Sequence, residues 1–394
     1  MTSTKRNVAL LAACQALLFT NNSTLIAING LAGLALAPYV GLATLPVTCW
    51  VLGGAIGTMP ASLHMKRVGR QRGLMSGTLW GIVGALICAT AIWAQSFWLL
   101  CFGTLVWGVY NAYGQYYRFA AADVASQDFK AQAISLVLAG GLVGGILGPT
   151  TSRWTIGFLT PKFMGAYLAL IAFAVVTMLL LRLIRIPTPS AAEQSAKGRP
   201  LREIVSQPKY IVAVLAGAIG YGVMNFLMTS TPIAMQVCGH PYGDAAFVIS
   251  SHIIGMFAPS FVSGPLIKRV GPLPVMFAGA LLNFAAIGTA LSGISVAQFW
   301  WALVILGVGW NFLYIGGTTL LTETYRPEER ARAQGTNEQA IFIMMAISSL
   351  TSGLTVTTAG WERVNLLALP LVATVAIAIV WYALRERARK AAAA

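Results

Sequence analysis

Charge is scarce in this chain. Asp, Glu, Lys and Arg make up 9% of its 394 residues, against about 25% in a soluble domain. There are only eleven acids and three histidines, and the five cysteines show no paired spacing, so a disulfide framework is excluded. No nucleophile elbow, phosphate loop or pair of catalytic carboxylates occurs, and the chain does not read as an enzyme. Strict two-residue alternation of apolar and polar residues is missing too, which excludes a transmembrane barrel. Apolar residues are plentiful: 57% of the chain is hydrophobic and the mean hydropathy is +0.74. That leaves too little polar surface to cover one water-soluble core.

The apolar residues gather in stretches long enough to cross a hydrocarbon layer of about 30 Å as helices. Twelve spans are expected, at 8–30, 39–62, 73–94, 97–119, 131–153, 163–186, 209–232, 243–267, 273–294, 297–321, 334–357 and 361–384. The longest polar interruption is "IPTPSAAEQSAKGRPLREIVSQPK" from Ile186 to Lys209, with four prolines. It predicts an N-terminal six-helix half over 1–186, a cytoplasmic linker over 187–208 and a C-terminal half over 209–394. No small-residue cleavage site follows the basic N-terminus, so the first span reads as an uncleaved helix. Of 26 lysines and arginines, Arg153, Lys162 and Arg363 fall on one side and Arg118 inside the fourth span. The remaining 22 fall on the other side, which the positive-inside rule makes cytoplasmic, with both termini there. This bias accounts for the net charge of +15. The basic residues form no stripe beside aromatics, so no nucleic-acid partner is implied.

The chain also repeats itself. "KRVG" occurs at Lys66 and again at Lys268, 202 positions on. "SFWLLCFG" from Ser96 is answered by "QFWWALVILG" from Gln298, and "AADVASQDFKAQA" from Ala121 by "LTETYRPEERARA" from Leu321. Parallel six-helix repeats around a central cavity are a transporter layout. The stretch "SLHMKRVGRQ" (Ser62–Gln71) resembles the loop motif of the major facilitator superfamily at Arg67, Gly69 and Arg70, with Ser62 in place of its glycine and Lys66 in place of its aspartate. The second copy keeps Gly264, Arg269 and Gly271. The resemblance implies an all-α integral membrane protein with two pseudo-symmetric halves, and gating turns at Arg67, Gly69, Arg70, Arg269 and Gly271.

A cargo should be named by polar or ligating groups at membrane depth. All eleven acids are expected away from the midplane, with Asp123 and Glu323 capping helix ends. His252 is the one histidine inside a span, with Met256 four residues on; Met224 and Met228 have the same spacing on the preceding helix. In a hairpin turning near His240, Met228 is expected level with His252 and Met224 with Met256. Thioethers and an imidazole suit a soft cation, copper above all. This pattern resembles the CcoA-like bacterial copper importers. That resemblance implies a carrier in the bacterial inner membrane importing copper for assembly of cbb3-type cytochrome oxidase. Met224, Met228, His252 and Met256 would form its metal site, and Met235, Cys238 and His240 an outer capture site. Copper is then the transported substrate, with no permanently bound cofactor. The partners implied are the lipid bilayer and downstream copper chaperones or oxidase assembly factors, and the chain is expected to act as a monomer.

The alternative lies on other helices. "YNAYGQYYR" sets Tyr110, Tyr113 and Tyr117 beside Asn111, and Trp310 and Asn311 answer in the second half. With Asn21, Asn22 and Asn225, this aromatic and amide set suits a flat organic solute such as riboflavin. The "GGILGP" stretch (Gly144–Pro149) resembles a fragment of an antiporter motif and keeps drug or solute efflux as a further alternative, against close helix packing by small residues. The topology is testable first. A reporter fused after Lys390 is expected to be active only in the form that requires the cytoplasm; periplasmic activity there overturns the orientation.

Overall fold

The computed structural model describes residues 3–39, 42–186 and 198–393. These are almost wholly helical: α1 (Ser3–Leu36), α2 (Leu45–Val68), α3 (Arg70–Trp93), α4 (Phe97–Gly114), α5 (Tyr117–Val124), α6 (Lys130–Thr155), α7 (Met164–Leu183), the short α8 (Leu201–Val205), α9 (Pro208–Val237), α10 (Tyr242–Phe257), α11 (Ser260–Val270), α12 (Pro272–Leu291), α13 (Val296–Leu321) and α14 (Arg330–Ala393). Among the described residues nine helical stretches are long and apolar enough to cross a membrane. One of these, Pro327–Arg389, has 63 residues, about 95 Å of helix and three times the hydrocarbon thickness. It is broken at Gly360, whose φ of 79° and ψ of 173° are not helical, and so supplies two passes. With α2 and with α4 continued by α5, the described residues form the twelve expected passes.

Local sequence explains where the elements start and stop. The second span was expected at 39–62, but α2 runs from Leu45 to Val68. A proline in its first turn fixes the start, and Lys66 and Arg67 occupy the last turn, where cations favour the helix dipole. The repeated Lys-Arg-Val-Gly then ends each helix the same way. Gly69 has φ 89° and Gly271 φ 85°, a region open to glycine and strained for a residue with a Cβ. Residues 187–197 of the expected linker lie outside the described residues; beyond them α8 precedes a proline that opens α9.

The chain packs as two compact units. The first gathers Met1–Gln127, Leu136–Lys197 and Arg330–Phe342; the second gathers Asp128–Ser135, Gly198–Glu329 and Ile343–Ala394. In the first, α2 and α4 meet through glycine. A Cβ on Gly53 would stand 1.9 Å from the Leu105 carbonyl oxygen, and one on Gly108 2.2 Å from that of Trp50. Gly140, Gly144 and Gly148 of α6 lie against the backbone and side chains of α1 between Ala12 and Thr24, and Thr24 donates to the Gly148 carbonyl at 3.0 Å. Gly144 and Gly148 of the antiporter-like stretch thus serve close packing. In the second unit Gly255, 202 positions after Gly53, lies against Val304, and Gly307 against His252. Large apolar side chains such as Ile56, Trp154, Leu350 and Ile377 stay more than half exposed, as lipid-facing residues must. Gly108→Ala is expected to destabilise the detergent-solubilised protein by about 1–3 kcal/mol through overpacking, read as a lowered melting temperature. Gly288→Ala, with nothing within 4 Å of the added methyl, should not lower that temperature and should raise it slightly through helix propensity.

Candidate functional site

In the first unit a chain of polar side chains runs from α1 through α4 and α5 to α14. Asn22 of α1 donates Nδ2 to Oδ1 of Asn111 on α4 at 2.8 Å. Gln115, at the break that separates α4 from α5, donates Nε2 to the same oxygen at 3.3 Å. Arg118 of α5 donates Nη1 to the Gln115 side-chain oxygen at 3.4 Å and to its backbone carbonyl at 3.0 Å. Its Nη2 pairs with Oε1 of Glu338 on α14, which also accepts from Asn337 Nδ2 at 2.7 Å. Arg118 and Glu338 are 1% and 0% exposed. Beside this chain the Tyr110 hydroxyl sits among Asn21, Thr177, Cys14 and Tyr117. Tyr113 shares a hydrogen bond of 2.8 Å with Nδ1 of His64.

Farther along the same unit, Arg70 is the buried member of the Lys-Arg-Val-Gly-Arg turn. It donates to Asp123 Oδ2 from Nε at 3.1 Å and Nη2 at 2.9 Å, and to Gln334 Oε1 at 2.7 Å. Arg330 joins the same Asp123 oxygen at 3.1 Å, and Ser62 donates to the Ala331 carbonyl at 2.8 Å. Arg67 and, in the second unit, Arg269 are exposed. Of the residues in this turn, Arg70 makes an ion pair among the described residues, while Gly69 and Gly271 turn the chain. The second unit has its own clasp. Arg199 forks onto Glu329, Nε to Oε1 at 2.8 Å and Nη2 to Oε2 at 2.7 Å. These hydrogen bonds hold the Arg199 guanidinium above its ordinary pKa.

The second unit's aromatic set is turned on itself. Trp310 and Tyr314 of α13 stack at 4.9 Å and 19°, and Tyr221 of α9 and Phe257 of α10 meet Trp310 edge-on at 5.3 and 5.8 Å. Asn311 bridges the break between α10 and α11. It donates to the Met256 carbonyl at 2.6 Å and Ser260 Oγ at 2.7 Å, and accepts from Ser263 Oγ at 2.6 Å. Asn225 donates to Ser348 Oγ at 2.8 Å.

The residues expected to hold copper lie in this unit too. His252 is fully buried. Its Nδ1 is 2.6 Å from the Leu303 carbonyl, which only accepts, so Nδ1 carries the proton. Met224 and Met256 are buried, and Met228 packs against an apolar cluster that includes Leu227, Met235 and Val248. Of the outer residues, Met235 belongs to that cluster and Cys238 packs on it, while His240 Nε2 lies 2.7 Å from the Ile294 carbonyl. Among the described residues no three His, Cys, Asp or Glu side chains group to hold a metal ion.

The acids are expected away from the midplane, and the sequence named no partner for Arg118; Glu338 is that partner. It lies eight residues, about 12 Å, into α14 and is fully buried. The signal was Arg118, a lone base within a span, because a buried charge requires a partner.

Residues 10–259 and 239–394 match the family described as Major Facilitator Superfamily. The riboflavin transporter RfnT of Brucella anthropi is 40% identical over 398 residues, covering 100% of this chain and 98% of that one. YddS of Bacillus subtilis, an uncharacterized MFS-type transporter, is 26% identical over 86% of this chain and 82% of its own. Among solved structures, the Escherichia coli fucose:proton symporter FucP has a TM-score of 0.74 at 17% identity, over 95% of this chain and 98% of that one. The human organic anion transporter MFSD10 gives 0.76 at 12%, over 96% and 100%. These two share the fold. The full-length relative overturns the expectation of copper import, since its name gives riboflavin as cargo. Paired methionines at helical spacing are ordinary packing residues, and Met228 and Met235 pack in that way here. Family match, helical architecture and relatives agree, and the chain belongs to the Major Facilitator Superfamily of membrane transporters.

Proposed function

We propose that this carrier takes up riboflavin across the bacterial inner membrane, with both termini in the cytoplasm. The observation that carries this reading is 40% identity, from end to end of the chain, with a riboflavin transporter. The first unit supports it with chemistry. Riboflavin has a flat ring system whose imide edge alternates acceptors and a donor, and a hydroxylated ribityl chain. Recognising it takes side chains that both donate and accept, and Asn22, Asn111 and Gln115 are of that kind. Efflux has no comparable support, because the α6 glycines are spent on packing against α1.

Uptake of radiolabelled riboflavin should rise in cells making the protein, and copper uptake should not. Asn111→Leu, present in the membrane at normal levels, is expected to lower riboflavin uptake at least about tenfold, since it leaves the Asn22 and Gln115 amides both without their acceptor. Riboflavin uptake indifferent to the protein, or copper uptake that rises with it, overturns the reading.

A further inference from the structure

The amide chain in the first unit has a direction, and Arg118 sets it. An amide's oxygen and nitrogen can exchange places by a flip, so the bonds from Asn22 to Asn111 and from Gln115 to Asn111 could each run either way if taken alone. A guanidinium has donors and no acceptor. With Arg118 Nη1 directed at it, the near atom of the Gln115 amide must be its oxygen. Gln115 therefore presents Nε2 to Asn111, which turns Asn111 Oδ1 toward both neighbours. Asn22 then has to donate its Nδ2 to that oxygen. Its own Oδ1 is left over, in a residue 6% exposed, with no hydrogen-bond partner among the described residues. At the opposite end Glu338 spends Oε1 on Arg118 and Asn337, and Oε2 is likewise buried without a partner among them. A chain directed by an interior donor ends in bare acceptors.

We propose that Asn22 Oδ1 is a specificity-determining acceptor for a hydrogen-bond donor of the transported molecule, and that Arg118 and Glu338 act through Gln115 and Asn111 as positioning residues. This rests on the riboflavin reading and deepens it, because it says which groups of the ligand are sensed. The donors riboflavin offers are the imide N3–H and the ribityl hydroxyls. A flat ligand of similar shape presenting only acceptors meets an acceptor and is refused. Both bare oxygens are buried; the Asn22 residue keeps 6% of its surface exposed and Glu338 none, so the ligand is taken to approach from the Asn22 end.

The test pairs ligand and protein changes in a cycle. Riboflavin, N3-methylriboflavin and lumiflavin compete for labelled riboflavin uptake by the full-length carrier in cells. The methyl analogue lacks the imide donor and lumiflavin lacks the ribityl donors, so the weaker competitor identifies the group that is read. In the wild type that analogue should compete about tenfold less well than riboflavin, the effect of one buried acceptor left unpaired. In Asn22→Ala the ratio should fall to about one, with riboflavin itself weakened to the analogue's level. Gln115→Leu cuts the link to Arg118 without stranding a charge; it should lower riboflavin uptake and shrink the ratio, riboflavin losing more than the analogue. Glu338→Gln should do the same where it folds. A purely structural role would weaken all three ligands in parallel, and that outcome, at Asn22 or at Gln115, overturns the inference. Equal competition by all three in the wild type overturns it as well. Absence of riboflavin uptake by the wild type would instead remove the riboflavin reading, and this inference with it.

Discussion

A buried arginine must find an anion, and the interior of the first unit is organised around that requirement. Arg118 and Glu338 are all but sealed from solvent. Such a pair adds little net stability, since desolvation offsets most of the attraction, yet removing one partner costs about 3–5 kcal/mol. Its larger effect is on direction. A donor-only group at the centre orients Gln115, then Asn111, then Asn22. The chemistry offered to a ligand on α1 is thereby fixed by charges on α5 and α14.

The duplication supplies the scaffold and then departs from it. Gly69 and Gly271 make the same left-handed turn, and Gly53 and Gly255 make the same kind of close helix approach. Chemistry diverges at matched positions. Asn111 and Asn311 are 200 residues apart; one belongs to the directed chain, and the other closes a helix break. Asp123 gathers Arg70 and Arg330, while its half-exposed counterpart Glu323 holds only Lys209 among the ion pairs of the described residues. Arg70 itself is answered by Pro272. Equal folds with unequal side chains give one unit a polar core and the other an aromatic cluster.

The fold was largely legible because lipid leaves few options. Apolar length, short turns and repeated glycines dictate helices, and they are where the sequence puts them, apart from shifts such as the late start of α2. The substrate was misread for a physical reason. Spacing reports which residues share a helix face, and says nothing of what already occupies their polar atoms. Only Nδ1 of the His252 ring is engaged, by a backbone carbonyl, with Nε2 buried and unpartnered among the described residues, and Met228 lies in apolar packing. Glu338 was not legible as the partner of Arg118 because spacing within one helix says nothing of contacts between helices. Asn22, Asn111 and Tyr110 were legible as polar residues within apolar spans. Their hydrogen-bond direction was not, since it comes from an arginine whose partner lies 220 positions along the chain.

The central claim is that the carrier's ligand is a flavin, and direct binding tests it with no cell in the way. Riboflavin is fluorescent, so titrating the purified, detergent-solubilised protein into a fixed riboflavin concentration reads occupancy from the change in its emission. The expected result is a saturable change that copper salts neither produce nor reverse. A monodisperse, folded preparation that leaves the emission unchanged at every protein concentration would contradict it.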